Sequence, residues 1–206
     1  MEARVLGTAI HALLERVSRL PGARTPDDVA RCLELGLPGV VAEMRGRGFS
    51  LAATQRLGAA AVTAAREAAA EPVGAWILAG HAQAETEARW TGQVSMGSGR
   101  ERPWNLRPDR VFFAAAPEAL RKGRLIPDLP DGPVWWIVDY KSSHASDLVD
   151  GERRRAFLAA QRERYAGQLG AYGQVLRGLI GGSGPDGQVW AGIYYPRLRM
   201  FDCWPV

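Results

Sequence analysis

Lysine and cysteine are nearly absent from this chain of 206 residues. Of its 26 lysine and arginine residues, only Lys122 and Lys141 are lysine. The two cysteines, Cys32 and Cys203, are too few for a disulfide framework, for a zinc site of four cysteines or for an iron–sulfur cluster held by cysteine. We therefore expect a protein of the reducing cytoplasm that is stabilised by its apolar core.

Long apolar runs are also missing. No run reaches the roughly 18 residues that a membrane-spanning helix needs, and the first residues do not resemble a secretory leader. The sequence also contains no phosphate-binding loop of the form G-x-x-x-x-G-K-[ST]. We therefore expect no contact with a membrane and no ATPase motor within these residues.

The composition that remains is that of a globular protein with a mild positive charge. The length suffices for one sizeable domain or two small ones, and hydrophobic residues make up 47% of the chain, which is enough for a real core. The formal net charge is +4 and the isoelectric point is about 9.4. This charge suits a polyanionic partner such as DNA, although proteins with other partners share it.

Hydrophobic periodicity predicts helices in the first third of the chain and one long helix near its end. Thr25 and Ser50 are expected to cap two of these helices, and Pro72 to end the third. The segment 76–83 is ambiguous. The predicted helices cover residues 8–20, 26–36, 51–71 and 150–180.

Alternating and apolar segments predict strands between and after these helices. The long interval 116–133 holds several proline and glycine residues and is predicted to be a loop. The predicted strands cover residues 84–90, 109–115, 134–141, 189–195 and 199–204. This order predicts one α/β (α+β) domain over residues 1–206, with a helical part over 1–75 and a short mixed sheet flanked by helices over 76–206.

The stretch VWWIVDYKSS, at 134–143, leads from a strand fit for burial into Asp139 and Lys141. Asp109 opens the preceding strand, so antiparallel pairing would bring Asp109 beside Asp139 at one edge of the sheet. Two adjacent carboxylates repel unless they share a proton or a cation, and hard oxygen ligands suit Mg²⁺ or Mn²⁺. Such a cation can hold and polarise a phosphodiester, and a nearby lysine can orient the attacking water.

The same residues also allow a structural interpretation. An aspartate and a lysine two residues apart at a sheet edge often form only a solvated ion pair. The pair of aspartates on neighbouring predicted strands favours the catalytic interpretation, and further motifs strengthen it.

Proline and aspartate at 108–109, followed by DYK at 139–141, resemble the signature of the PD-(D/E)XK nuclease superfamily. Other segments resemble further motifs of its RecB/AddA-type helicase–nuclease branch, and they occur in the same order. These segments are GTAIHALLE at 7–15, ETEARW at 85–90 and YAGQLGAY at 165–172. The resemblance implies a fold with a restriction-endonuclease-like core.

The resemblance also implies roles for residues along the chain. His11, Asp109, Asp139 and the main-chain carbonyl of Tyr140 would hold one or two Mg²⁺ or Mn²⁺ ions, and Lys141 would position water. Glu87 stands where the family has an acidic residue before the first aspartate. The residues expected to contact DNA or to orient these groups are Glu15, Arg110, Tyr165, Gln168 and Tyr172.

Several of these residues have a second interpretation. His11 borders an apolar helix face and could be a core histidine, while Tyr172 could pack in the interior with Gln168 in solvent. The arginines at 153–155 could bind a DNA strand or form a solvated helix start. Leu106 stands where many relatives have glycine, which leaves the local turn open.

The implied function is a metal-dependent deoxyribonuclease, expected to be an exonuclease acting on single-stranded DNA in repair and recombination. The implied partner is a helicase motor in the same or another polypeptide, and Met1 lies just before the first motif as if at a domain boundary. One alternative is a stand-alone nuclease that processes DNA ends. Relatives of that kind hold an iron–sulfur cluster with four cysteines, so the presence of only two cysteines weighs against it. Another is an inactive nuclease fold that binds DNA or braces a helicase.

Overall fold

The computed structural model describes residues 1–22, 24–96, 100–122, 129–143, 151–181 and 187–206. The chain divides into two compact units. The first comprises Met1–Gly80, a short segment that begins at Tyr140, and Tyr194–Met200. The second comprises His81–Asp139, the stretch that ends at Ile193, and Phe201–Val206.

Four helices form most of the first unit: α1 (Glu2–Ser18), α2 (Pro26–Gly46), α3 (Leu51–Ala70) and α4 (Pro72–Leu78). The predicted caps are confirmed. The Thr25 hydroxyl accepts from the backbone N–H of Asp28 and the Ser50 hydroxyl from that of Ala53, which satisfies donors that a helix start leaves free. Helix α1 packs on α2 and α3, and its buried face includes Ile10, Leu13 and Leu14.

The second helix is longer than the sequence predicts. We expected it to stop near Gly36, because glycine and proline follow there, but it continues to Gly46 with Pro38 inside it. Val40 and Met44 extend its buried face by two further turns, so tertiary burial outweighs the lost hydrogen bond at Pro38.

The ambiguous segment 76–83 is partly helical. Pro72 ends α3, as predicted, and also begins α4, since Glu71 serves as the cap of both helices. The Glu71 carboxylate accepts from the backbone N–H groups of Val73 and Gly74 at 2.9 and 2.7 Å. Helix α4 therefore begins on a charged cap and runs to Leu78.

Within the described residues, seven strands form two sheets, and two further helices lie between strands along the chain. The strands are β1 (Glu85–Thr86), β2 (Trp90–Met96), β3 (Arg100–Leu106), β4 (Arg110–Ala115), β5 (Pro133–Tyr140), β6 (Val189–Tyr195) and β7 (Met200–Pro205). The five-stranded sheet has the order β1-β4-β5-β6-β7, and β2 pairs with β3 alone. The buried strand β5 is thus central, as its apolar sequence predicts.

The five-stranded sheet is mixed. Strands β1, β4 and β5 pair antiparallel. Strand β6 runs parallel to β5, since Trp135 donates to the carbonyl of Gln188 and Lys141 to that of Tyr194, at 3.0 and 2.9 Å. A parallel pair needs a long crossover, and helix α6 (Gly151–Leu179) lies in that connection. The prediction of an α/β fold with a mixed sheet is confirmed.

The strand predicted over 84–90 is wrong in extent. Strand β1 has two residues, because Glu87 adopts a left-handed backbone conformation with φ of 52° and turns the chain out of the sheet. The chain then forms the β2–β3 hairpin, which we did not predict. Its strands contain Gly92, Pro103 and charged residues, so hydrophobic alternation is weak there.

The predicted loop 116–133 contains a short helix, α5 (Glu118–Lys122), which Pro117 precedes. Residues 123–128 of that loop and the start of the predicted helix at 150 lie outside the described residues. Within the described ranges, both cysteines are free and buried, and no helix is both long and apolar enough to cross a bilayer.

Candidate active site

The register of β4 and β5 brings Asp109 and Asp139 to the same end of the sheet. Arg110 pairs with Val138 and Val111 with Ile137 in an antiparallel ladder. Asp109 immediately precedes Arg110, and Asp139 immediately follows Val138. The antiparallel pairing that the two motifs required is confirmed, and the aspartates lie one step beyond its last pair.

Both aspartates are buried: Asp109 is 8% exposed and Asp139 4%. A buried carboxylate is costly in its charged form unless hydrogen bonds, a proton or a cation compensate it. Placing two such groups on adjacent strands adds mutual repulsion. This arrangement has the charge that a divalent cation requires.

Burial and the negative charges of both aspartates raise the pKa of Tyr172 on α6. Burial, followed by the negative charge of Asp139 and more weakly that of Asp109, raises the pKa of Tyr172 to about 12. The phenol is 5% exposed, so α6 brings it within electrostatic reach of both aspartates.

Gln168 and Tyr172 lie on the same face of α6, because they are one turn apart. The Gln168 amide Nε2 donates to the Tyr172 oxygen at 2.6 Å, and the Tyr172 hydroxyl lies 3.4 Å from the carbonyl of Arg107, two residues before Asp109. Tyr172 therefore does pack in the interior, and Gln168 is half-buried against it.

Glu87 lies next to the first motif through its main chain. Its backbone N–H donates to the carbonyl of Asp109 at 2.9 Å, and the residue is half-buried. The left-handed turn at Glu87 thus follows β1 directly and fixes the backbone on one side of Asp109.

Arg110 supports the sheet edge from inside. It is 2% exposed, donates to the hydroxyl of Thr86 at 2.5 Å, and places its guanidinium 5.9 Å from the ring centre of Phe112. This arginine holds β1 against β4 and orients the start of the strand that follows Asp109. Its burial favours a positioning role over direct contact with DNA.

Tyr140, Lys141 and His11 belong to the first unit. The His11 ring meets the Tyr140 ring edge-on, at 5.5 Å between centres and 87° between planes. Lys141 is half-buried, and its backbone is fixed by the hydrogen bond to Tyr194. His11 is more exposed than its neighbours Ile10 and Leu14, which are fully buried, so it lies at the border of the core.

Glu15 is bound to a neighbour on its own helix. Its carboxylate forms an ion pair with Arg19 at 2.6 Å and is about a quarter exposed. Its orienting action on His11 stays a prediction.

The first half of α6 lies at the surface. Tyr165 is half-buried, and the guanidinium of Arg164 lies 5.4 Å from its ring centre. The arginines at 153–155 are exposed. Their position suits contact with a strand of DNA as well as a solvated face.

Tyr194 and Gly7 support the site but were not predicted from the sequence. Tyr194 accepts the backbone N–H of Lys141, and its hydroxyl donates to Glu71 at 3.3 Å. Gly7 lies on α1 where an added Cβ would collide with the Ser142 hydroxyl, so its missing side chain lets α1 approach the residues after β5. A glycine inside a strongly periodic helix was the available signal.

The donor set fits a hard divalent cation, but the structure does not bring three ligand side chains together. Among the residues described, no group of three or more His, Cys, Asp or Glu side chains could enclose a metal ion. In the second unit the cluster is Asp109, Asp139, Tyr172 and Gln168. In the first it is His11, Tyr140 and Lys141. Mg²⁺ usually takes one or two carboxylates and completes its shell with water and phosphate, which the aspartate pair matches.

Comparison with known proteins agrees with this geometry. A search of curated proteins gives no significant match. The family model described as the PD-(D/E)XK nuclease superfamily matches residues 1–200 and thus includes all the residues discussed above. With the signature aspartates and lysine at the ends of β4 and β5, the chain belongs to the PD-(D/E)XK nuclease superfamily.

Proposed function

We propose that this protein is a metal-dependent deoxyribonuclease that hydrolyses phosphodiester bonds with Asp109, Asp139 and Lys141. The observation that supports this most strongly is the pair of buried aspartates at one end of the β4–β5 ladder. Membership of a nuclease superfamily over residues 1–200 supports the same reaction class.

The proposed ligands of Mg²⁺ or Mn²⁺ are the carboxylates of Asp109 and Asp139, the carbonyl of Tyr140 and the imidazole of His11. When bound, the cation would neutralise charge on the phosphate and acidify a water molecule. The protein's own contribution is to hold the carboxylates rigidly, because both stand at the ends of paired strands.

Lys141 is proposed to act on the attacking water or on the phosphate. A backbone hydrogen bond to the carbonyl of Tyr194 fixes the start of its side chain, and the residue is only partly exposed. A compact cation held in this way can orient a water molecule and offset the negative charge that develops on a phosphate oxygen.

Strand binding is assigned to α6. Gln168 can hydrogen-bond phosphate, Tyr165 can stack on a base, and the exposed arginines at 153–155 can contact the backbone of the strand. The proposed substrate is single-stranded DNA, since stacking and hydrogen bonding along one helix need bases that are free of a partner strand.

The finer assignment is a nuclease module of the RecB/AddA type, an exonuclease in DNA repair and recombination with a helicase in the same or a partner polypeptide. It rests on the motif order from His11 to Tyr172. A stand-alone nuclease that processes ends is the alternative, with Mg²⁺ or Mn²⁺ and no iron–sulfur cluster in either case. The intact set of Asp109, Asp139 and Lys141 supports activity over an inactive DNA-binding fold.

Cleavage of labelled oligonucleotides tests this proposal. Single-stranded and duplex DNA are incubated with the purified protein in Mg²⁺, Mn²⁺ or EDTA, with and without ATP, beside the variant Asp139→Asn. We expect cutting with either metal, preference for the single strand, no effect of ATP, and no product in EDTA or from Asp139→Asn. Cleavage that persists in EDTA, or that Asp139→Asn retains, would overturn the proposal.

A further inference from the structure

A concave surface in the first unit is lined largely by arginine. Its volume is about 570 Å³, and it lies where the end of α1 and the residues after it meet the first turns of α2. Four of the nine residues that line it are arginine, whereas arginine makes up roughly an eighth of the chain. We call it the arginine pocket, after Arg16, Arg19, Arg24 and Arg31.

The positive charge of this pocket is only partly neutralised by the protein. Arg19 is paired with Glu15, and Asp28, which also lines the pocket, interacts with Arg31. Among the residues described, Arg16 and Arg24 have no carboxylate within ion-pair distance. The pocket therefore keeps at least two guanidinium groups without a counter-charge.

Two other arginines of the same unit are neutralised by carboxylates. Arg47 pairs with Glu43 at 2.6 Å, and Arg56 with Glu2 at 2.7 Å. These two paired arginines lie outside the pocket and serve as controls for it.

Arg24 is held in place by neutral groups. Its guanidinium donates to the carbonyls of Leu78, Ser18 and Leu20, and its buried Nε has no hydrogen-bond partner among the residues that the structure describes. Burial lowers the pKa of Arg24, which shows that the surroundings disfavour its charge. An anion close to this group would relieve that cost.

Arg16 reaches the pocket because α2 has no side chain at Gly36. A Cβ at that position would lie 2.9 Å from both Cδ and Nε of Arg16. Arg16 therefore lies in close contact with α2 at Gly36, and its side chain would have to move if this residue carried a Cβ.

The remaining lining suits the rest of a nucleotide. Leu20, Pro21 and Leu35 offer apolar surface for a base or a sugar, and Leu35 is 69% exposed. Guanidinium groups match phosphate in geometry and charge. The volume lies within the range of roughly 300–1,000 Å³ that is usual for small-molecule sites.

We propose that the arginine pocket binds the phosphate of a nucleotide, either at the end of a DNA strand or in a free nucleotide. The pocket contains none of the residues assigned to hydrolysis, so the inference goes beyond the proposed nuclease function.

The test measures binding without metal, so that its outcome is separate from cleavage. A 5′-phosphorylated, fluorescent oligothymidylate is titrated with the protein in EDTA, and anisotropy gives the affinity. Leu35→Glu places a carboxylate at the rim of the pocket. Its control, Leu51→Glu, makes the same change at an exposed leucine outside the pocket, 59% exposed at the start of α3.

We expect Leu35→Glu to weaken binding by roughly tenfold or more, because the added carboxylate repels the phosphate and can pair with the arginines of the pocket, and Leu51→Glu to weaken it much less. A second pair removes two positive charges from either place: Arg16→Gln with Arg31→Gln, against Arg47→Gln with Arg56→Gln. Only the first pair should weaken binding, and thermal melting confirms that each variant is folded.

Competition identifies the source of the phosphate. If free thymidine monophosphate displaces the oligonucleotide from the wild type, and does so less well from Leu35→Glu, the pocket binds free nucleotides. Loss of oligonucleotide binding in Leu35→Glu without such competition assigns it to DNA ends. Equal affinities of Leu35→Glu and Leu51→Glu for the oligonucleotide would overturn the proposal.

Discussion

At the scale of single residues, the choice of lysine at position 141 is unusual for this chain. Arginine serves at nearly every other basic position, yet lysine follows Asp139 by two residues. Arginine is a broad planar fork whose charge cannot be removed, whereas lysine is a compact ammonium whose pKa the surroundings can adjust. This difference matters only if the group must fit beside a reacting water or phosphate.

Lys141→Arg should therefore keep the fold and DNA binding and lose cleavage by roughly 10²-fold or more, because a misplacement of about 1 Å can cost that much in rate. Single-turnover cleavage of a labelled single strand measures it. The matched control is Lys122→Arg, since Lys122 is exposed and pairs with Glu118 at 2.9 Å. If Lys141→Arg cuts within a few-fold of wild type, Lys141 contributes only its charge.

Cys203 is expected to lower the free energy of unfolding at alkaline pH. Burial, followed by the charge of Asp202, raises the pKa of the Cys203 thiol above its ordinary value of 9.0. The folded protein thus keeps this proton where the unfolded chain loses it. The contribution is fully present below pH 9 and falls as the pH rises above 9, by up to about 1.4 kcal/mol per pH unit.

The variant Cys203→Ala should be less stable than wild type at pH 8, because it leaves a small cavity, but it should lose less stability between pH 8 and 10.5. Urea unfolding at the two pH values measures both effects. Equal losses in wild type and variant would show that the thiol does not titrate differently in the two states.

At the scale of secondary-structure elements, the start of α4 supports the strand end that carries Lys141. Tyr194 accepts the Lys141 backbone N–H, and its hydroxyl donates to Glu71, the cap of α4. An added Cβ at Gly74 would collide with the carbonyl of Ala68 and the hydroxyl of Tyr194. The glycine is therefore required for close packing of these groups.

Gly74→Ala should destabilise the protein by about 1–3 kcal/mol, because the collision involves main chain that cannot move aside. Gly39→Ala, in the interior of α2 with open space around it, should instead stabilise the fold by up to about 1 kcal/mol. Chemical denaturation of the two variants gives the free energies of unfolding. Changes of the same sign would contradict this account of the packing at Gly74.

The elements also show what the sequence could and could not predict. Strand β5 was predicted to within a residue, because its apolar run is unbroken. Its antiparallel pairing with β4 was expected because that pairing would place Asp109 beside Asp139. The extension of α2 beyond Gly36 was not predictable from local signals. It depends on burial of Val40 and Met44 against other helices, which outweighs proline at 38.

The β2–β3 hairpin was missed for a related reason. Its sequence is polar and contains glycine and proline, and Gly92 faces Val175 of α6 at a distance that leaves no room for a side chain. Such an approach of a strand to a helix is a tertiary fact that alternation of hydrophobic residues does not encode.

At the scale of the whole molecule, the order of motifs predicted more than any single motif. Segments from His11 to Tyr172 match one superfamily in sequence order, and the family model covers residues 1–200. The fold class followed from that order. The arginine pocket could not be predicted in this way, because arginine is common throughout the chain and only the packing of α1 on α2 shows which arginines converge.

The central claim is that the two buried aspartates form a site for a divalent cation. Calorimetric titration with Mn²⁺ tests it most directly, with wild type, Asp139→Asn and the control Asp131→Asn, whose carboxylate is fully exposed and pairs with Arg121. We predict saturable binding by wild type and Asp131→Asn, and affinity lower by at least about tenfold in Asp139→Asn. Equal Mn²⁺ affinity in wild type and Asp139→Asn would contradict the claim.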